Sequence, residues 1–313
     1  MFDLPALPVY PAYHMKPMLR IAAALCWVLL AGVACGESDI NLATLNCYWF
    51  FDAQEGKGDI DKPRTTLEYS TKAGHLIGLL PKEAPLFVGF QEIGGGEDLA
   101  ALAHSASARY GRAYQTLFAR GKDTATGQNV GAILDTSSGW GVYGRASRVS
   151  DLERELSKHL VVRITNAATS MDICVVHLRR PIGNDGIEKQ KNQCRALLKW
   201  AMRHLSGDPK ANLVILGDFN EGKPVGSDSQ ALEAIFQAKP PMMDALGTLS
   251  GKITTHTDGK AYDRILVSYA IIKGLNRLKL ERVAIQPHRH GKGEDRRLYT
   301  DHFPVTVTIR LEP

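Results

Sequence analysis

Short apolar runs separated by polar, glycine-bearing stretches recur along residues 37–313, and most of these runs end on a side chain able to do chemistry. Ile40–Asn46 reads as a strand, and Arg64–Leu80 as a helix that closes at Pro81, which cannot continue it. Leu86–Phe90 is wholly apolar, the pattern of a strand buried on both faces, and it runs into Gln91, Glu92 and three glycines. A helix is predicted over Glu97–Tyr110, then strands over Tyr114–Ala119, Val130–Asp135, Leu160–Thr165 and Asp172–His177. Gly186–Leu205 reads as a long helix with Leu197, Leu198 and Ala201 on one side. A strand at Asn212–Leu216, the turn GDFN, a helix near Ser229–Gln237 and strands at Tyr262–Ser268, Leu278–Ile285 and Phe303–Leu311 complete the series. Neither a repeat nor a Pro/Ser-rich linker divides it, so one domain is expected, with two sheets packed face to face and helices outside.

Ahead of this domain, the uncharged run Ile21–Cys35 follows Lys16 and Arg20 and ends on small residues. A bilayer span needs about 20 apolar residues, so this shorter run fits a secretory signal within residues 1–36, with export and no stable membrane span. Residues before Met15 read as an upstream extension, because MKPMLR makes a conventional start. Acylation of Cys35 as a lipoprotein is the second reading, weakened by Gly32 where such signals carry leucine.

Composition narrows the class. With 44% hydrophobic and 23% charged residues over 313 positions, the chain is neither a disordered polyelectrolyte nor a polytopic membrane protein. Five cysteines without CxxC spacing exclude a disulfide scaffold and a structural zinc knot. The formal charge of +5 hints mildly at anionic partners.

Six separated places carry candidate chemistry: Asn46 at the first strand's end, Glu92 in FVGFQE, His177 in VVHL, Asp218 and Asn220 in LVILGDFN, Asp263 in AYDRILVS, and Asp301–His302 in TDHFPV. In this order they resemble the endonuclease/exonuclease/phosphatase superfamily, above all its deoxyribonuclease and abasic-site endonuclease members, over Ile40–Ile309. The resemblance implies an α/β fold, a four-layered αββα sandwich of two mixed sheets covered by helices. It also implies hydrolysis of phosphate esters, most simply by a nuclease-like phosphodiesterase acting as a monomer on nucleic acid or another phosphoester. Mg²⁺ is the expected cofactor, with Mn²⁺ or Ca²⁺ as alternatives, because a hard cation needs only a few oxygen ligands. By resemblance Glu92, Asn46 and Asp301 hold the metal. His177 contacts the scissile phosphate as a cation or proton donor, Asp218 aligns or deprotonates the attacking water, and Asn220 holds a phosphate oxygen. Asp263 and His302 form a carboxylate–imidazole pair.

Each residue alone has a plainer reading: Glu92 as a solvated strand end, His177 as a structural hydrogen-bonder, GDFN as a self-stabilising turn. Deoxyribonucleases orient the residue corresponding to His177 with a carboxylate, whereas GQNVGAIL offers Asn129. Arg179 and Arg180 follow His177, and His288–Arg297 adds four Lys/Arg before Asp301, so flanking phosphates have potential partners in a loop that is otherwise a solvated one. Two groove-reading arginines of the deoxyribonucleases are replaced here by Tyr48 and Gly94. Tyr48, Trp49, Phe50 and Phe51 form an aromatic cluster suited to stacking or to a core. The remaining alternatives are a phosphatase or phospholipase-C-like enzyme on a small or lipid phosphate, and an inactive module binding anionic surfaces. Export permits one disulfide among Cys47, Cys174 and Cys194, with Cys47 and Cys174 both on predicted strands.

Overall fold

Two six-stranded sheets face each other across an apolar interior in the computed structural model, which describes residues 38–51, 65–222, 242–289 and 298–312. The strands are β1 (Ser38–Phe50), β2 (Phe87–Ile93), β3 (Tyr114–Phe118), β4 (Asn129–Asp135), β5 (Gly141–Ser147), β6 (His159–Thr165), β7 (Ser170–His177), β8 (Leu213–Asp218), β9 (Met242–Asp244), β10 (Asp263–Ser268), β11 (Leu278–Ile285) and β12 (Val305–Leu311). One sheet runs β11-β12-β1-β2-β4-β3, the other β5-β6-β7-β8-β10-β9. Helices are α1 (Thr66–Gly78), α2 (Gly96–Tyr110), α3 (Ser150–Glu153), α4 (Gly183–Gly207) and α5 (Tyr269–Lys273).

Each sheet is mixed for a local reason. The pairs β1–β2 and β7–β8 are parallel, and in each a helix lies in the connecting segment, α1 for the first and α4 for the second, as a parallel crossover requires. The other pairs are antiparallel. Between the sheets lies a core that includes Leu42, Phe87, Leu134, Val175, Leu216, Ile265 and Val307, all fully buried. Alternate residues face outward: Leu45, Val88 and Phe90 pack with Leu76, Leu99 and Leu102 of α1 and α2, while Val176 and Ile215 pack with Leu197 and Leu205 of α4. The result is the expected αββα layering. Gly89 marks the closeness of the two sheets, since a Cβ there would lie 2.3 Å from Leu216 Cδ1.

Most sequence-predicted elements coincide with observed ones, but β5, β9, α3 and α5 were not anticipated. Strand β5 carries Gly141 and Gly144 and is largely solvent-accessible at a sheet edge, β9 has three residues, and α5 is a single short helix within an apolar stretch. The predicted secretory segment and the helix near Ser229–Gln237 lie outside the described residues, as do residues 290–297 of the basic segment. Residues Glu37–Glu312 group as one compact unit. Among the described residues no helix is long and apolar enough to cross a membrane.

The disulfide suggested by Cys47 and Cys174 does not form. Cys47 packs beneath α1 and α2, Cys174 of β7 and Cys194 of α4 lie in the opposite outer layer, and all three are buried free thiols. Burial pushes all three up, Cys194 to about 12, so none is a ready thiolate.

Candidate active site

The two parallel pairs end on the same rim, and their registers place the polar residues. His177 sits opposite Asp218 on β8, and Asp263 sits opposite Asp218 on the other side. Gly217, at φ 143°, is what allows that approach: a Cβ there would lie 2.0 Å from the Val176 carbonyl oxygen. On the facing sheet, pairing of β2 shifts between Gln91 and Ile93, and Glu92 occupies this bulge at φ 60°. A bulge re-aims one side chain, and a non-glycine residue held at positive φ is strain that the surrounding structure must hold.

Glu92 is held at both oxygens, by Trp49 N–H at 3.1 Å and by Asn46 Nδ2 at 3.2 Å. The same amide nitrogen donates to Asp218 Oδ2 at 2.9 Å, so Asn46 bridges two carboxylates from opposite sheets. Its Oδ1 accepts from Tyr48 N–H at 3.0 Å, and its backbone carbonyl accepts from the Thr300 hydroxyl at 2.7 Å. Asp218 accepts further bonds from Asn220 N at 2.7 Å and Asn220 Nδ2 at 3.3 Å. Asn220 adopts φ 51° and also donates to the Leu178 carbonyl. His177 Nε2 lies 3.6 Å from Asp218 and 3.8 Å from Glu92, while its buried Nδ1 has no hydrogen-bond partner. Asp263 Oδ2 meets His302 Nδ1 at 2.7 Å and accepts from the Thr255 hydroxyl at 3.0 Å.

These groups set one another's charge. Burial pushes the Asp218 carboxyl up to about 6, helped by the negative charges of Asp263 and Glu92 against the pull of His302. Burial opposes a proton on His302, yet the Asp263 carboxylate overrides it and raises the imidazole to about 10. His177 is held well below the usual range by burial and by the nearby charges of Lys158 and His302, so it is neutral at pH 7. Asp301 is drawn down to about 2: burial opposes ionisation, but the hydrogen bond from His256 and the charge of His302 prevail.

The geometry therefore brings Asn46, Glu92, His177, Asp218, Asn220, Asp263, Asp301 and His302 together. A cleft of about 700 Å³ opens over them, lined also by Tyr48, Trp49, Lys158, Arg179 and Arg180. Ligating atoms of Glu92, His177 and Asp218 lie within 4.8 Å of one another, and those of His256, Asp301 and His302 form a second such group. Asn129 is the exception among the expected site residues. Its Oδ1 accepts from Gly121 N–H at 2.7 Å and its Nδ2 donates to the Gly94 and Gly127 carbonyls, so it ties loops together and makes no bond to His177. Of the aromatic cluster, Phe50 and Phe51 are core, whereas Tyr48 and Trp49 stay half-buried at the cleft.

Sequence reading missed Lys158 and His256. Lys158 accepts His177 N–H on its carbonyl at 3.4 Å and directs Nζ to Gln128 and Asp123. Lysine ahead of a strand and histidine in a threonine-rich loop carry no local signature; only their position on the rim marks them.

Solved structures share this architecture. An endonuclease/exonuclease/phosphatase from Bacteroides vulgatus is 17% identical, covering 88% of this chain and 100% of that one with a TM-score of 0.55. The fold is that of the endonuclease/exonuclease/phosphatase proteins. D. rerio TDP2, complexed with a single-strand DNA product, is 15% identical over 87% of this chain and 99% of that one at a TM-score of 0.57. The human Nocturnin catalytic domain, with a bound sulfate anion, is 15% identical over 88% and 96% at 0.58. No protein-family model matches the sequence, and no curated protein does. In this endonuclease/exonuclease/phosphatase fold the rim of the sandwich is where both parallel pairs point, and here it carries the buried carboxylates and imidazoles.

Proposed function

We propose that the chain is an exported, divalent-metal-dependent phosphoesterase that hydrolyses phosphodiesters in the manner of a nuclease. One observation carries this reading: residues from six places in the sequence meet at one cleft with complementary protonation states, a depressed His177, a raised His302 and a carboxylate, Asp218, poised near neutrality. Export rests on the apolar run Ile21–Cys35 behind two basic residues.

The donor set suits a hard cation. Three carboxylates, Glu92, Asp218 and Asp301, line the cleft, Asp263 is buried behind His302, and the buried oxygens Asp263 Oδ1 and Asp301 Oδ1 have no hydrogen-bond partner. Glu92 would be the principal ligand, with Asp301 assisting; Asn46, expected as a ligand, instead turns its amide nitrogen to Glu92 and Asp218 and its oxygen to Tyr48 N–H, so it positions the carboxylates. When bound, Mg²⁺ or Mn²⁺ neutralises charge that builds on the phosphoryl oxygens.

The protein's own groups account for the rest. Asp218 accepts hydrogen bonds from Asn46 and Asn220 that fix its oxygens, and its carboxyl near 6 leaves it ionised at pH 7 yet basic enough to take a proton from water. His302, cationic through Asp263, places positive charge where the oxygens become more negative. Neutral His177 supplies an N–H donor to a phosphate oxygen and cannot act as a stored cation. Arg154, Lys158, Arg179, Arg180 and Lys189 line the cleft, a distribution suited to a substrate with further phosphates.

A second reading, a phosphatase or phospholipase-C-like enzyme on a small or lipid phosphate, draws on Tyr48 and Trp49 at the cleft in place of arginine. Plasmid DNA, RNA, bis-p-nitrophenyl phosphate and phosphomonoesters, each with Mg²⁺ and with EDTA, separate the two. Asp218→Asn and His302→Ala should each lower diester hydrolysis by at least ~100-fold, the scale of lost acid–base assistance. Salt-sensitive nucleic-acid binding without turnover of any ester would replace the enzyme reading by an anionic-surface module. Mass spectrometry of the mature N-terminus tests export.

A further inference from the structure

Beside the Glu92 centre, two histidines from separate loops aim at one carboxylate. His256 Nε2 lies 3.1 Å from Asp301 Oδ2, and His302 Nε2 lies 3.8 Å from Asp301 Oδ1. The two rings stand edge to face with centroids 4.7 Å apart, brought together because residues 256 and 302 form an isolated antiparallel bridge. Each imidazole is backed by its own aspartate on the far nitrogen: Asp263 on His302 Nδ1 at 2.7 Å, Asp258 on His256 Nδ1 at 2.9 Å.

That arrangement is the one metal-binding histidines adopt. A ligating imidazole gives its other N–H to a carboxylate, which fixes ring and tautomer and makes the free nitrogen a better donor. Asp258 serves His256 in this sense when the ring proton sits on Nδ1; its backbone N–H, 3.1 Å from the same nitrogen, serves the opposite tautomer. Asp301 Oδ1 is buried and accepts no hydrogen bond, and at 3.8 Å it stands beyond bonding distance from His302 Nε2. The three ligating atoms lie within 4.8 Å of one another, so one ion can touch all three. The cleft gives access, since His256, Asp258, Asp301 and His302 all line it.

We propose that His256, Asp301 and His302 form a second cation site, a two-histidine, one-carboxylate set that takes a transition metal able to accept imidazole, such as Zn²⁺, Co²⁺ or Mn²⁺, in preference to Mg²⁺. Two nitrogen donors disfavour Mg²⁺, which takes oxygen, and suit ions that accept imidazole. An ion held there takes the place of the Nε2 proton of His302, so its binding releases a proton and the ion then carries the positive charge that the imidazolium carries in its absence.

The test counts ions on the purified protein. Mn²⁺ titration followed by electron paramagnetic resonance should find two bound ions per chain, falling to one in His256→Ala. Glu92→Gln should lose the other ion and keep the His256-dependent one. Co²⁺ loading should give visible bands of a nitrogen-ligated ion that vanish in His256→Ala. If that variant fails to fold by circular dichroism, His256→Gln, close in size, carries the same comparison. A single ion in the wild type that persists in a folded His256 variant, two ions in that variant, or an unchanged cobalt spectrum would overturn the proposal and leave His256 as a residue that merely orients Asp301. Diester hydrolysis is read separately: its absence alongside a His256-dependent ion defeats the phosphoesterase reading alone, and its presence with an unchanged count defeats this one alone.

Discussion

Replacing Asp263 by asparagine keeps the size and one hydrogen-bond acceptor while removing a buried charge 2.7 Å from His302 Nδ1. Charges about 4 Å apart at an effective dielectric of about 20 interact by about 4 kcal/mol, which is about 3 pKa units. The rise of His302 from 6.5 to about 10 is of that size, so Asp263 accounts for most of it. In EDTA, the His302 ring resonances of Asp263→Asn should titrate near about 7 rather than about 10. Because the folded pKa is raised, the pair contributes stability that is complete below pH 6.5 and disappears as pH rises through about 10. Urea melts should therefore show the variant weaker by about 3–5 kcal/mol at pH 6, with the difference shrinking in alkali. A His302 midpoint that stays above about 9 in the variant would refute the assignment of its charge to Asp263.

Other outcomes follow from the same structure. His159, buried with Nδ1 facing the Leu156 carbonyl and Nε2 accepting Val149 N–H, is depressed to about 4 by burial and by Arg148; the unfolded chain thus binds its proton first, and stability should fall by about 3 kcal/mol from pH 6.5 to 4, a slope that denaturant melts of His159→Gln should lack. Gly217→Ala should cost at least about 3 kcal/mol, since its Cβ meets a backbone carbonyl at 2.0 Å, lowering Tm by ~6 °C or more; a smaller drop contradicts the tight β7–β8 approach. Glu92→Gln should raise the Mg²⁺ concentration for half-maximal hydrolysis at least ~10-fold, the scale of a lost coordinating partner, as read in metal titrations of rate. Arg179→Ala and Arg180→Ala should each flatten the salt dependence of polynucleotide binding by about one unit of slope while sparing bis-p-nitrophenyl phosphate turnover; an unchanged slope places them outside the substrate path.

The elements were legible where patterning was strong. β2 and β8 announced themselves as uninterrupted apolar runs because both faces are buried, one against the opposing sheet and one against helices. Strand β5 was not legible, since a glycine-rich edge strand with much of its surface in water needs no apolar alternation. The candidate site was readable as an ordered set of polar residues at strand ends; Glu92, His177, Asp218 and Asp263 do stand at or beside such ends, and Asn46 stands inside β1 where its pairing with β2 shifts. Asn129 was misplaced because a side chain's partners are set by loops distant in sequence, here Gly94 and Gly121.

By itself, then, the sequence determined the alternation of strands and helices and the inventory of carboxylates, amides and imidazoles, because hydrophobic periodicity and residue type are local properties. Only the tertiary structure decided their charge and company. The 2.7 Å contact of Asp263 with His302 spans 39 positions, and the 2.9 Å contact of Asn46 with Asp218 spans 172. Such distances are fixed by strand register, and protonation follows from distance and burial. His256 illustrates the division: in the sequence it is one histidine among threonines, and the fold makes it the partner of Asp301.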